Sequence, residues 1–285
     1  MRSIAAAVAN VAVSAGAVLA SVVAAPALLV GLAVAGLVGG SLEILVPAVR
    51  RRRGLRHWAT DLTHAVGNRS LILPIVGLLT AAAGPLVHAL TPESVRDGFH
   101  QAPWGVRALT LLVLTDFVNY WAHRAMHRVP ALWRLHRVHH STEQLDWLAT
   151  ARGHPLDLAL SLTLIAVPSY ALDATTEGTA LITFLFLYPF LLHANARLPL
   201  PLVDCVLVTP SFHHWHHAAD EIAHGRNLGS VLTVWDRLFG TALAMPHLPA
   251  RYGTDDELLA DGNYLSHLVA PWRRAPHRGE PHDAR

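Results

Sequence analysis

The chain has 285 residues, of which 52% are hydrophobic and 15% charged, with a formal net charge of +2. Soluble domains carry about 25% charged residues, so this composition argues against a water-soluble globular protein, and its apolar content excludes a disordered chain. One cysteine, Cys205, excludes an internal disulfide framework and any cysteine-rich zinc or iron–sulfur site.

Apolar runs, taken in chain order, predict membrane helices, each of which needs about 20 mostly apolar residues. Residues 4–25 and 27–49, separated by Pro26 and interrupted only by Glu43, read as a helical hairpin. A secretory signal peptide competes for the first run, with Arg2 ahead of it and Ala-rich cleavage sites within it. The apolar stretch continues far past any such site, which favours the hairpin. Residues 71–90, with Pro74 and Pro85 as helix-bending positions, form the third expected span. Residues 108–122 (with Asp116), 156–172 and 179–196 (with His193 near the end) complete a count of about six.

Arginine placement gives an orientation. Arg50 to Arg53 and Arg56 follow the second span, and Arg124, Arg128, Arg134, Arg137 and Arg152 lie between the fourth and fifth. More follow the sixth. Alternating helices put all of these on one side, which is the cytoplasmic side by the positive-inside rule, together with both termini. The pI is near 9.0, almost wholly from arginine. The apolar bulk assigns that charge to a membrane surface, and no nucleic-acid partner is expected. Gly36 and Gly40 have the small-xxx-small spacing of a close helix contact, a spacing that arises easily by chance in an Ala/Gly-rich run. The tail from Arg273 is Arg-, Pro- and His-rich, and is expected to be disordered. The expected division is a membrane hairpin over 1–49, a catalytic unit over 50–242 and a partly disordered cytoplasmic tail over 243–285.

Histidine is the compositional outlier, with 20 residues against 20 Asp plus Glu. Three clusters stand out: His123 and His127; His136, His139 and His140; and His213, His214, His216 and His217. Their i, i+3 and i+4 offsets put side chains on one helix face, about 5–6 Å apart at Cβ. That is close enough for imidazoles to share a metal or to hold two metals side by side. Eight or nine imidazoles are too many for one ion and suit two. Imidazole suits zinc, copper, iron and nickel. The H-E-x-x-H of zinc proteases is absent, and the clusters contain no general base for a hydrolytic zinc site. Isolated histidines such as His57, His64, His88, His100, His247, His267, His277 and His282 read as ordinary surface or core residues. Asp116, Tyr120, His123 and His127 share one helix face. Asp116 is therefore expected to stand behind a metal-bearing histidine and orient it.

The stretch from Asp116 to His140, with Arg152-Gly153-His154-Pro155, His193-Ala194-Asn195, Thr209 to His217, Asn227-Leu228-Gly229 and Trp235 to Thr241, resembles the fatty acid hydroxylase/sterol desaturase superfamily. The resemblance covers about residues 43–242. It implies an all-α integral membrane helical bundle with a cytoplasmic His-rich helical cap that holds a dimetal site. It also implies an O2-dependent lipid hydroxylase or desaturase with two iron ions, for which zinc can substitute in purified protein. Carried over position by position, the implied ligands are His123, His127, His136, His139, His140, His193, His213, His216 and His217. His214 falls on a variable position, and His154 is either a tenth ligand or a residue supporting one. Leu228 departs from the family's tyrosine, which puts local packing or a substrate contact in question. The implied partners are a lipid-like substrate from the bilayer and a separate electron donor of cytochrome or ferredoxin type, with oligomeric state open. The substrate stays open among fatty acyl chains, sterols or hopanoids, carotenoids and ether lipids.

Three other readings compete. A metal transporter needs ionisable residues lining several spans, and Asp116, Glu43 and Asp157 make too sparse a path. A bis-His haem protein needs histidine pairs within the bilayer, whereas these lie beyond the helix ends. An inactive scaffold of the same fold is disfavoured by the complete ligand set.

Overall fold

The computed structural model describes residues 25–49, 55–198, 200–254, 256–260 and 262–273. The first expected span lies almost wholly outside these residues, as does the tail beyond 273. Five principal helices follow in order: α1 (Ala25–Leu45), α2 (Leu55–Leu90), α4 (Trp104–Arg128), α6 (Pro155–Ala171) and α7 (Thr175–Leu192), with the short α3 (Glu93–Gln101) between α2 and α4. Shorter helices carry the rest: α5 (Pro130–His136), α8 (Pro210–His216), α9 (Val234–Leu238), α10 (Glu257–Ala260) and α11 (Tyr264–Val269). Among the described residues there is no β-strand, only three isolated bridges at Pro47–Ala196, Leu207–Leu232 and Ala218–Tyr252. The all-α class holds.

Proline punctuates the chain. Pro130, Pro155 and Pro210 each open a helix, where the missing N–H costs nothing and φ is already helical. Pro74 and Pro85 instead lie within α2, which continues through both.

The six-span count is not met by length and composition. Among the described residues one helix, His57–Leu90, is long and apolar enough to cross a membrane. The apolar stretches Ala33–Leu45, Pro155–Ala171 and Thr176–Leu192 are shorter. At about 1.5 Å per residue these fall short of a hydrocarbon core of about 30 Å. Helix α4 is 25 residues long, but Arg107, Asp116, Arg124 and Arg128 dilute its apolar character.

Side-chain contacts explain why the helices assemble. Trp147 lies against α1 so closely that a Cβ on Gly36 or Gly39 would come within 2.9 and 2.6 Å of its ring and its own Cβ. The close-contact stripe is thus Gly36 and Gly39, and its partner is an indole. Glu43 closes the same junction by accepting from the backbone N–H of Trp147 (2.7 Å) and of Asn195 (3.0 Å). A buried polar seam joins helix α2 to the loop that leads into α6 and to residues 259–267. Arg152 Nε donates to Asp61 Oδ1 at 2.6 Å, with the two side chains 1% and 0% exposed. Asn68 Nδ2 donates to the Gly153 carbonyl at 2.9 Å. His64 and His267 share a hydrogen bond of 2.8 Å, and His267 Nε2 donates to the Leu259 carbonyl at 2.9 Å. Residues 256–273 strap the second histidine segment: Arg137 meets the Asp256 carboxylate at 2.9 Å and the Ala270 carbonyl at 3.1 Å. Val138, Leu259 and Ala270 form a small core beneath the strap.

Stranding one partner of a buried ion pair costs about 3–5 kcal/mol. Arg152→Met is therefore expected to lower the melting temperature of the detergent-solubilised protein, and Asp61→Asn added to it is expected to recover part of the loss. A single variant as stable as the parent would mean that the pair does not hold α2 to the loop that leads into α6.

Candidate metal centre

Four separate segments bring the histidines together. Helix α4 presents His123 and His127 one turn apart. The chain then extends at Val129 and restarts at Pro130, so that His136 is the last residue of α5. His139 and His140 follow in one 3-10 turn, His139–Ser141. The second cluster is therefore not carried by one continuous helix. His193 caps the C-terminus of α7. His213 and His216 lie on α8, and His217 caps its end.

The nine sort into two adjoining groups. His123, His127, His136, His140 and His216 form one, and His139, His193, His213 and His217 the other, with the potential ligand atoms within 4.8 Å of one another in each group. Each of the last two clusters is split between the groups: neighbours His139 and His140 go to different ones, as do His216 and His217. Their rings touch across the boundary, with His140 stacked on His217 at 4.4 Å between centroids.

The outward edges of the rings set the inward ones. Nδ1–H of His123 donates to the Leu228 carbonyl (2.8 Å), that of His139 to Arg152 (2.9 Å), that of His193 to Pro189 (2.8 Å) and that of His216 to Arg226 (2.9 Å). A carbonyl only accepts, so these rings carry their proton on Nδ1 and their lone pair on Nε2. Those lone pairs converge. Nε2 of His193 lies 3.2 Å from that of His139, 3.0 Å from that of His217 and 3.4 Å from that of His213. Nε2 of His123 lies 3.2 Å from that of His136. Facing lone pairs repel unless a cation lies between them. Spacings of this size are those of neighbouring ligands about 2.1 Å from one ion. The buried Nε2 atoms of His127, His140 and His216 have no hydrogen-bond partner among the described residues, an omission that costs about 1–3 kcal/mol each unless a metal takes the lone pair. The donor set is all imidazole and fits a borderline transition metal. Burial holds His140, His213, His216 and His217 well below the ordinary 6.5 and His139 at about 4. At neutral pH they are therefore uncharged and able to ligate.

The remaining site residues take other places. Asp116 does not stand behind a histidine. Its carboxylate accepts from the backbone N–H of Val231 (3.0 Å) and Leu232 (2.9 Å) and from Trp235 Nε1 (3.0 Å), and so ties a distant loop to α4. Asp157, in the first turn of α6, takes the place expected of Asp116: its Oδ2 accepts from His136 Nδ1 at 3.0 Å. The reading along the α4 face could not reach Asp157, which sits 21 residues further on; its position just after His154-Pro155 was the available signal. His154 is not a tenth ligand in this geometry, because both of its nitrogens are engaged. Nδ1 accepts from the Leu156 N–H (3.2 Å) and Nε2 donates to the Leu268 carbonyl (3.2 Å). His214 is likewise engaged, with Tyr252 Oη (2.9 Å) and the Ala194 carbonyl (3.0 Å).

The departure at Leu228 concerns a position that works through its backbone. Its carbonyl holds His123 and its N–H donates to Asp236 Oδ1 (2.7 Å), while the Gly229 N–H donates to Asp236 Oδ2 (2.7 Å). A Cβ on Gly229 would meet that carboxylate at 2.8 Å. Asn227 supports the turn at φ 53°, a left-handed conformation asparagine tolerates.

Comparison with known proteins gives a consistent picture. The fatty acid hydroxylase family model matches residues 108–241. The chain is 32% identical to an ornithine lipid hydroxylase of Rhizobium tropici over 184 residues, 61% of this chain and 53% of that protein. It is 32% identical to an alkylglycerol monooxygenase of Danio rerio over 149 residues (51% and 33%) and 33% identical to that of Homo sapiens over 140 (49% and 31%). The chain thus spans about half or less of the length of these relatives. No solved structure matches it.

Two outcomes follow for the isolated protein. Asp157→Asn removes the charge behind His136 and is expected to weaken metal retention about 10- to 100-fold, read by elemental analysis after graded chelator treatment; undiminished retention would remove Asp157 from the site. Imidazoles that stay neutral when folded but titrate near 6.5 when unfolded take up protons on unfolding. The metal-free protein should therefore be most stable above about pH 6.5 and lose stability steadily as the pH falls toward 4. Thermal melts across that window check the sign.

Proposed function

Residues 108–241 belong to the fatty acid hydroxylase family, and on that premise we propose that this chain is a membrane-embedded di-iron oxygenase that hydroxylates a lipid. The observation that carries the reading is the pair of adjoining imidazole groups with converging lone pairs. His123, His127, His136, His140 and His216 would hold one iron, and His139, His193, His213 and His217 the other. Bound iron would supply the dioxygen activation that no side chain provides. The overall change is RH + O2 + two electrons + two protons giving ROH + H2O.

The protein's own residues hold, shield and neutralise. Leu228, Arg152, Pro189 and Arg226 aim the rings through their carbonyls, and Asp157 adds a negative charge behind His136. Burial of the rings keeps bulk water from the reactive centre. The relatives' names point to membrane lipids that combine a polar head with long chains, the class proposed here as substrate, with hydroxylation ahead of desaturation. Electrons come from a separate acidic donor of cytochrome or ferredoxin type. Support for that partner is the arginine beside the clusters: Arg128 and Arg134 are exposed next to His127 and His136, and such charge steers association. The proposed setting is a multi-pass bundle with the histidine face and both termini cytoplasmic, which rests on the distribution of arginine.

The test is reconstitution with Fe(II), O2, a reductase system and lipid extracts that include ornithine lipids, alkylglycerols and free fatty acids. The parent is expected to retain about two irons per chain, as such imidazole sites do, and to form a hydroxylated product. His139→Ala and His216→Ala should each abolish iron retention and oxidation together. Full activity in both would overturn the ligand assignment, and iron-replete protein that oxidises none of the lipids would overturn the substrate class.

A further inference from the structure

Residues 200–207 carry their polarity inside out. Leu200, Leu202, Val203, Val206 and Leu207 are exposed, Leu202 at 86%. The only charged side chain of the segment, Asp204, turns inward and accepts from the hydroxyl of Thr209 at the start of α8. Part of the segment's backbone is bonded within the protein. The N–H groups of Asp204, Val206 and Leu207 bond to Leu200 and Val203 at 2.9, 2.9 and 2.7 Å, and the Val206 carbonyl accepts from Thr233 at 3.0 Å. A contiguous run of exposed large apolar side chains with its one charge held against the protein marks a contact surface rather than a water-facing loop.

A second segment continues the surface. Residues 231–239 join the first through the Leu207–Leu232 bridge and through Arg237, which donates to the Asp204 carbonyl at 3.1 Å. They expose Val234 and, at 67%, Leu238. Asp116 pins this segment to α4 by the Val231 and Leu232 N–H groups. Asp116 lies seven residues before His123, about 10 Å along the helix axis. The segment therefore leaves the histidine level at Leu228, reaches the Asp116 level at Val231 and Leu232, and returns to Arg124, whose Nη1 donates to the Phe239 carbonyl at 3.4 Å. Along this path the exposed Phe117 packs on Trp235 at 5.0 Å between centroids. The exposed Trp121 carries Arg124 over its ring at 5.3 Å. Aromatic rings with arginine at one level are the composition of a membrane interface.

We propose that residues 200–207 and 231–239 form a lipid-contacting element that lies in the leaflet beside the histidine centre, with the acyl chains of the bilayer as its partner. It adds a membrane contact to the stretch beyond the last expected span. Exposed Arg197 and Arg237 flank the apolar surface and suit anionic headgroups, which favours lipid over a second copy of the chain. The proposal rests on the bilayer setting given under Proposed function.

Cys205 is the chain's single cysteine and is exposed in the middle of the element, so one fluorophore can be attached without mutagenesis. The labelled protein is reconstituted into phosphatidylcholine–phosphatidylglycerol vesicles. Quenching by acyl-chain-brominated lipid is compared with quenching by aqueous iodide. A reference label at Leu78→Cys in a Cys205→Ser background reports α2, where Leu78 is exposed. The expected result is loss of most of the emission in brominated lipid, and none with iodide, at both positions. Lipid quenching at position 78 with iodide quenching at Cys205 would overturn the element and leave the bilayer setting intact. Iodide quenching at both would overturn the bilayer setting itself. A Cys205 label shielded from both quenchers would overturn lipid as the occupant in favour of a protein contact. Leu202→Glu with Leu238→Glu should shift the Cys205 label from lipid to iodide quenching while metal content stays unchanged; metal retained with the label still in lipid would also count against the element.

Discussion

Everything in this structure answers to the repulsion among imidazole lone pairs brought within about one cation's reach of each other. Nine rings face inward in two groups, and none would hold that orientation alone. Five of them have a partner behind the ring that fixes the proton on the outer nitrogen. For four rings this is a backbone carbonyl, at Leu228, Arg152, Pro189 and Arg226; for His136 it is the carboxylate of Asp157. A carbonyl cannot be replaced by mutation of its own side chain. The centre therefore depends on the path of the loops more than on the identity of the residues in them, which is why leucine serves at position 228.

That dependence explains the rest of the polar architecture. Asp236 binds two successive N–H groups of the turn that presents the Leu228 carbonyl, and Thr241 donates to the same carboxylate at 2.6 Å. The buried Arg152–Asp61 pair anchors the backbone that receives His139 to α2. Arg137 sits between two inward-facing histidines and is held by the strap of residues 256–273. These contacts bury charge, which is costly unless it is paired. The chain has them where a loop must not move.

The same loops connect the centre to an apolar surface. The segment that begins at Leu228, behind His123, continues to the exposed Val234 and Leu238, and the segment that ends at Thr209 begins among exposed leucines. The histidine groups and the exposed apolar surface are thus two ends of the same pieces of chain, joined by Asp116, Asp204 and Arg237.

The sequence alone determined the ligand chemistry, the helical class and the family resemblance, because these depend on residue type and on local offsets of three and four residues. The three clusters were legible in that way, whereas His193 as a ligand and the setting aside of His214 came from the family resemblance. The number of spans was less so: apolar runs show where helices form, but Asp116 and the arginines of α4, with the short lengths of α6 and α7, leave one helix among the described residues that meets the length and composition of a span. Tertiary structure alone decided which histidines go together, since His139 and His140 are neighbours in sequence and belong to different groups. It also moved the orienting carboxylate from Asp116 to Asp157, and it engaged both nitrogens of His154. The physical reason is range. A ring's orientation is set by the partner of its outer nitrogen, and for His123 that partner lies 105 residues away, beyond anything a local spacing can encode.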